Sequence, residues 1–259
     1  MSERLPRVAV TRAREQADGL ADLLEAAGFD VISCPTIRIV GPPNPTELEA
    51  AARSIGEFDW VVFTSSNAVR ALSAELSRSR QDFATALARS KVACVGPGTA
   101  AVLAEHGRSA DLVPPASEYL AEGLVQAFAR AGVGRGTRVL VPQAERARPV
   151  LRDGLRQLGL AVTTVTAYRT VPDRDGIDSL RREIDAGRVD VIAFSSPSTI
   201  EFFVERAGAD VGGARVAVIG PVAARAARRL GLPVHAEAGT HTAAGLAAAV
   251  SAAIGRSSK

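Results

Sequence analysis

An internal duplication constrains this chain more than any other feature. Residues 7–40, RVAVTRAREQADGLADLLEAAGFDVISCPTIRIV, align with residues 138–171, RVLVPQAERARPVLRDGLRQLGLAVTTVTAYRTV. Val8 corresponds to Val139, Gly28 to Gly159 and Val31 to Val162, a constant offset of 131. FDWVVFTSSNAV (58–69) matches VDVIAFSSPSTI (189–200) at the same offset, and KVACVGPGTAAVLAEHG (91–107) matches RVAVIGPVAARAARRLG (215–231) at an offset of 124. Three blocks in one order mean one structural unit used twice. At 259 residues the chain has room for two domains of ordinary size. Two similar domains facing a shared cleft are expected.

Each block reads as a strand followed by a helix. Val8 and Val10 begin a short apolar run; Leu20, Leu23, Leu24 and Ala27 then mark one helical face, with Gly28 as its C-cap. Runs 59–64, 91–95, 189–194 and 215–219 are almost wholly apolar, as central parallel strands covered on both faces must be. The alternation predicts a doubly wound parallel sheet in each half. Residues 30–40 and 161–171 are long for strands, apolar in their first halves and alternating in their second. Each is expected to run out of its sheet into a connector, the two pairing as an antiparallel ladder. GPPNP (41–45) and VPD (171–173) mark the chain crossings.

Composition excludes several functions. No apolar run approaches the roughly 18 residues of a membrane span, and the MSERLPRVAVTR opening lacks a signal core, so export is not expected. Cys34 and Cys94 sit in apolar runs and read as buried thiols in a reducing cytoplasm. His106, His235 and His241 have no metal-ligand spacing. The net charge of +3 comes from scattered arginines, with neither a basic block nor interleaved aromatics, so a small polyanion in a pocket suits it better than nucleic acid.

Ligands of open α/β sheets bind at the carboxyl ends of strands. The repeat puts six loops there: Thr11-Arg12, Thr64-Ser65-Ser66-Asn67, Gly96-Pro97-Gly98-Thr99, Pro142-Gln143, Ser195-Ser196-Pro197-Ser198 and Gly220-Pro221. Several place Ser, Thr or Gly before a helix, where backbone N–H groups can hold carboxylate or phosphate. Such residues also serve as plain N-caps, and symmetry is what favours a site here. Gly96-Pro97-Gly98 lacks the remaining features of a dinucleotide fingerprint, no P-loop lysine is present, and no histidine accompanies the serines as in a nucleophilic triad. Tyr168, on the polar half of the second long segment, is the acid–base candidate: it could face the cleft, or be a solvent-exposed or packing residue.

VTR (10–12), FDWVVFTSSNAV (58–69), VGPGTA (95–100), LVP (140–142) with Ala147-Arg148, AYRT (167–170), FSSPS (194–198) and IGP (219–221) together resemble the uroporphyrinogen-III synthase family, over nearly the whole chain. The resemblance implies two flavodoxin-like domains joined by a two-stranded antiparallel linker: residues 1–36 and 171–259 as the first domain, 44–163 as the second, and 37–43 with 164–170 as the ladder. It implies closure of linear hydroxymethylbilane to uroporphyrinogen III with inversion of ring D, in haem, sirohaem and cobalamin synthesis, without metal or organic cofactor. Arg12 and Arg148, with Thr64, Ser65, Ser66, Gly98, Thr99, Ser195, Ser196, Pro197, Gly220, Val222 and Ala223, would hold the substrate's carboxylates. Tyr168 matches the tyrosine that assists hydroxide departure, a phenol with a reference pKa of about 10. Val222-Ala223 departs from the threonine common after the last Gly-Pro, which removes a hydroxyl contact. A cytoplasmic monomer, making transient contact with hydroxymethylbilane synthase and binding neither membrane nor nucleic acid, is the expected setting. The competing readings are a non-catalytic tetrapyrrole- or polyanion-binding regulator, disfavoured because no DNA-binding appendage follows AAVSAAIGRSSK, and a periplasmic-type binding protein, disfavoured by the missing signal.

Overall fold

The computed structural model describes residues 4–13 and 18–255; residues 1–3, at the head of the opening segment, 14–17 and 256–259 lie outside the described residues. The chain divides into two compact units, Met1–Arg38 with Thr170–Lys259, and Ile39–Arg169. The first unit opens with β1 (Arg7–Val10), α1 (Asp18–Ala26) and β2 (Asp30–Ser33). From β3 (Ile37–Val40) the chain builds α2 (Thr46–Arg53), β4 (Trp60–Phe63), α3 (Ser66–Arg78), α4 (Phe83–Ala86), β5 (Lys91–Cys94), α5 (Pro97–Glu105), α6 (Ala121–Arg130), β6 (Arg138–Ala144), α7 (Val150–Gln157) and β7 (Ala161–Pro172). It then completes the first unit with α8 (Arg174–Asp185), β8 (Val191–Phe194), α9 (Pro197–Ala207), β9 (Arg215–Val218), α10 (Pro221–Arg229), β10 (Ala236–Glu237) and α11 (Ala243–Ala253).

The two sheets show the duplication. One has the order β10-β9-β8-β1-β2 and the other β3-β7-β6-β4-β5, so β9-β8-β1-β2 corresponds to β5-β4-β6-β7. Within each, these strands run parallel, with Val8 beside both Val31 and Val191, and Trp60 beside both Lys91 and Val139. The bridge Ala93–Leu112 stands where β10 stands in the first sheet.

Side chains alternate across each strand, so every strand feeds two cores. In the first unit Ala9, Ile192, Phe194 and Val216 meet Ile177, Leu180, Ile200 and Phe203 of α8 and α9. Val8, Val10, Val191 and Ala217 meet Leu20 and Leu24 of α1 and Leu246 and Val250 of α11. In the second unit Val61, Phe63, Val92 and Leu140 pack on Leu72, Leu76 and Leu103 of α3 and α5, whereas Trp60, Val62, Val139 and Val141 pack on Leu124, Phe128, Leu151 and Leu155 of α6 and α7. This is the doubly wound parallel arrangement expected from the apolar runs. Leu23 and Ala27 depart from expectation: both are exposed, Ala27 lies just past the helix, and the buried face of α1 is carried by Leu20 and Leu24.

The two long segments differ from one another. Residues 161–172 form one continuous strand, but 30–40 is broken into β2 and β3 at Cys34-Pro35-Thr36. Pro35 has no N–H to give a ladder. Thr36 is instead held by buried contacts inside its own unit: its N–H donates to Thr11 O, its hydroxyl donates to Thr199 O at 2.9 Å, and its carbonyl accepts from Asp173 N–H. The expected single long strand at 30–40 is thereby corrected.

Candidate functional site

In the second unit the loops after β4 and β5 meet each other, and the first of them also meets β7 at Tyr168. Ser65 caps α3, its Oγ accepting from Ala68 N–H at 3.2 Å. The same Oγ lies 3.0 Å from the hydroxyl of Tyr168. Ser66 donates from its hydroxyl to Gly98 O at 3.1 Å, tying the first turn of α3 to that of α5. Thr64 is half-buried beside Ser65, and Thr99 is buried in α5.

Tyr168 is placed by a bulge. The register of β6 and β7 runs Gln143↔Thr166 and then Ala144↔Tyr168, so β7 carries one extra residue there. Glu145 N–H donates to Tyr168 O and holds the bulged turn. Without it Ala167 and Tyr168 would face opposite sides; with it both enter the core on the α3 face. Tyr168 is only 8% exposed, so a packed ring with a hydrogen-bonded hydroxyl replaces the freely exposed side chain that the polar stretch allowed.

The first unit presents the equivalent loops. Ser196 caps α9 through a capping box with Thr199, and its Oγ also lies 3.0 Å from Ser198 Oγ. Ser195 and Pro197 are half-buried beside it. Gly220 caps α10, Val222 is exposed, and Ala223 is buried. Arg12 follows β1, half-buried, and burial pulls its guanidinium below the ordinary arginine value.

The serine and glycine caps differ chemically. Ser65 and Ser196 consume N–H groups of their own helices, whereas Gly96 and Gly220 bring no side-chain acceptor to the first turns of α5 and α10. Pro97 and Pro221 open α5 and α10 without an N–H, and Thr99 N–H already donates to Gly96 O, so the first-turn donors left for an anion are those of Gly98 in α5 and of Val222 and Ala223 in α10. Arg148 is exposed and engaged with Glu122 of α6 at 3.0 Å. Glu122 is held below the usual carboxylate range, chiefly by its own backbone N–H and also by Arg148.

One paired feature escaped the sequence reading. The ring of Tyr119 lies over Gly96, 3.2 Å from where a Cβ would stand, and the ring of His241 lies over Gly220, 2.5 Å from that position. The signal was a fourth repeat block, YLAEGL (119–124) against HTAAGL (241–246), in which a Cβ at Gly123 or Gly245 would stand 2.1 or 2.0 Å from a backbone carbonyl, of Glu118 and Thr240 respectively. Among the described residues no group of three His, Cys, Asp or Glu is arranged to hold a metal ion. Nor is any helix among them long and apolar enough to cross a membrane.

The chain is thus a duplicated α/β protein of two doubly wound units, each with Ser and Gly helix caps at its strand ends. The family model for uroporphyrinogen-III synthase HemD matches residues 18–248. Uroporphyrinogen-III synthase of Synechococcus elongatus is 32% identical over 257 residues, covering 94% of this chain and 93% of that one. In fold, the chain is similar to a substituted form of uroporphyrinogen III synthase from Thermus thermophilus, with TM-score 0.63 at 23% identity over 96% of this chain and 98% of that one. A structure of uroporphyrinogen-III synthetase from Helicobacter pylori gives TM-score 0.62 at 14% identity, over 93% and 96%. The chain belongs to the uroporphyrinogen-III synthase family. It is a cyclising hydro-lyase of porphyrin biosynthesis.

Proposed function

We propose that this synthase takes hydroxymethylbilane, a linear tetrapyrrole bearing eight carboxylates, and closes it to uroporphyrinogen III with loss of water and inversion of ring D through a spiro intermediate. The observation that carries the assignment of roles is the hydrogen bond between Tyr168 and Ser65. Ser65 Oγ already accepts from Ala68 N–H, so it can turn its own proton toward the phenol oxygen. A phenol that accepts such a bond is a better donor through its own O–H. That proton is then available to the hydroxyl leaving the substrate, which departs as water. The substrate's hydroxyl is labile in itself, so holding the chain in the geometry that favours ring D inversion is the larger task.

Positioning falls to the anion-binding groups. First-turn N–H groups of α5 and α10, at Gly98, Val222 and Ala223, suit acetate and propionate arms, supported by Thr64, Ser66, Thr99, Ser195, Ser196 and Pro197 at the neighbouring ends. Arg12 offers a partly desolvated cation with no ion-pair partner among the described residues. Arg148 serves only once it exchanges Glu122 for substrate. A cytoplasmic monomer receiving its substrate in transient contact with hydroxymethylbilane synthase fits a substrate that otherwise closes unaided to the type I isomer.

Purified protein supplied with freshly generated hydroxymethylbilane, followed by oxidation and separation of the isomers, tests the reading. The type III isomer is expected; formation of the type I isomer alone would refute it.

A further inference from the structure

Six described arginines are half-buried: Arg7, Arg12, Arg108, Arg152, Arg169 and Arg181. Four of them are anchored. Arg7 binds Asp30 at 2.6 Å, Arg108 donates to Ser90 O at 2.9 Å, Arg152 binds Asp153 at 2.7 Å, and Arg181 donates to Asp210 O at 2.6 Å. Arg12 and Arg169 have neither a hydrogen bond nor an ion pair with any described residue. Arg169 goes further, since its Nε is closed off from solvent and has no acceptor. Arg108 and Arg181 also have a shielded Nε, but each satisfies its charge through a terminal nitrogen.

A shielded guanidinium N–H without an acceptor opposes folding. No described acidic residue pairs with Arg169, and methionine would remove the unsatisfied N–H at similar side-chain length. Arginines held in this state are matched to an anion that arrives from outside. Arg169 is also the residue after Tyr168, immediately past the bulge that turns the phenol into the α3-side core.

We propose that Arg169 is a substrate-binding residue whose guanidinium takes one carboxylate arm of the tetrapyrrole. This deepens the synthase reading and rests on it. It gives the second unit a half-buried, unpaired cation as Arg12 is in the first, and it assigns the β7 bulge a second task beside placing Tyr168.

The test uses Arg169→Met and Arg169→Lys in the full chain. For Arg169→Met, KM for hydroxymethylbilane is expected to rise roughly 10- to 100-fold, the loss of one charge-assisted hydrogen bond. Its kcat should change far less, and its thermal midpoint should hold or rise. Arg169→Lys, which keeps the charge but not the planar fork, should fall between the wild type and the Met variant in KM. Uroporphyrin III binding, followed by porphyrin fluorescence, should show the same order without turnover. Unchanged KM and porphyrin affinity in both variants overturns the proposal, as does a lowered thermal midpoint with unchanged KM. A wild-type chain that makes only the type I isomer sinks the synthase reading instead; an active wild type indifferent to Arg169 sinks this inference alone.

Discussion

Removing the Tyr168 hydroxyl separates its chemistry from its packing. Tyr168→Phe keeps the ring in its core and deletes one hydrogen bond of 3.0 Å to Ser65. Ser65 retains Ala68 N–H and is half-buried, so its hydroxyl is not stranded, and the cost to stability should be about 1 kcal/mol. Ser65→Ala is the harsher change. It removes the cap of α3, worth about 1 kcal/mol, and strands a phenol that is 8% exposed, adding roughly 1–3 kcal/mol. In the double variant the phenol is gone, so the stranding penalty vanishes and the two losses should be sub-additive by about 1–2 kcal/mol. The sequence contains one tryptophan, Trp60, and it lies in the core of the same unit. Its fluorescence during urea unfolding therefore reads this unit. Additivity of the two changes within about 0.5 kcal/mol would refute the bond as a contributor. Kinetically, Tyr168→Phe should lower kcat about 10- to 100-fold with KM little changed, measured as type III isomer formed. Unchanged kcat would remove Tyr168 from the mechanism.

Three further changes have defined outcomes. Gly123→Ala would put a Cβ 2.1 Å from Glu118 O, so it should destabilise the Trp60-bearing unit by about 1–3 kcal/mol, while Gly134→Ala, in open space, should shift the Trp60 unfolding midpoint little. Cys34 is pushed up to about 11 by burial, with the charge of Glu183 adding; its thiol should resist alkylation at pH 8. Because the unfolded thiol ionises first, the first unit should lose up to about 3 kcal/mol as pH rises from about 9 to about 11, and Cys34→Ala should flatten that slope. His235 is held below its ordinary range by burial and then by Arg215, and its Nδ1 accepts Val216 N–H at 3.0 Å, which only the unprotonated ring can do. The unfolded state then takes the proton first, so hydrogen-exchange protection of the Val216 amide should fall as pH drops below about 6.5; protection independent of pH there would contradict the bond.

The doubly wound units were legible because apolar runs such as WVVF and VIAF leave no solvent-facing side, and because their order recurs. The caps at Ser65 and Ser196 followed from residue type just ahead of a helix. The break at Pro35-Thr36 was not legible, although a proline stood in the run. What fixes it is a hydrogen bond to Thr199, 163 residues away, which no local pattern contains. The bulge at Tyr168 was hidden for a similar reason. Thr166-Ala167-Tyr168 reads as plain alternation, and only the partner register in β6 reveals the extra residue. Arg169 was passed over within AYRT because isolation of a cation is a property of its surroundings, not of its spacing.

The repeat also shows where the two halves have parted chemically. Ser65 corresponds to Ser196, and Tyr168 corresponds to Ile37. Around Ser196 the sequence continues Pro197-Ser198-Thr199, and those neighbours saturate its hydroxyl: Thr199 N–H donates to it and Ser198 Oγ sits 3.0 Å away. Around Ser65 the position of Thr199 is taken by Ala68, which offers a backbone N–H and no hydroxyl. The serine that meets Ser196 Oγ, Ser198, corresponds to Asn67, and the second hydroxyl at Ser65 Oγ is instead that of Tyr168. Ile37, being a hydrocarbon, could neither accept nor give a proton in the other half. Duplication therefore supplied two sets of backbone donors able to hold an anion, but a polarised phenol arose in one copy only. The proposed mechanism protonates a single leaving group and so needs one such phenol, whereas its counterpart Ile37 is a buried hydrocarbon.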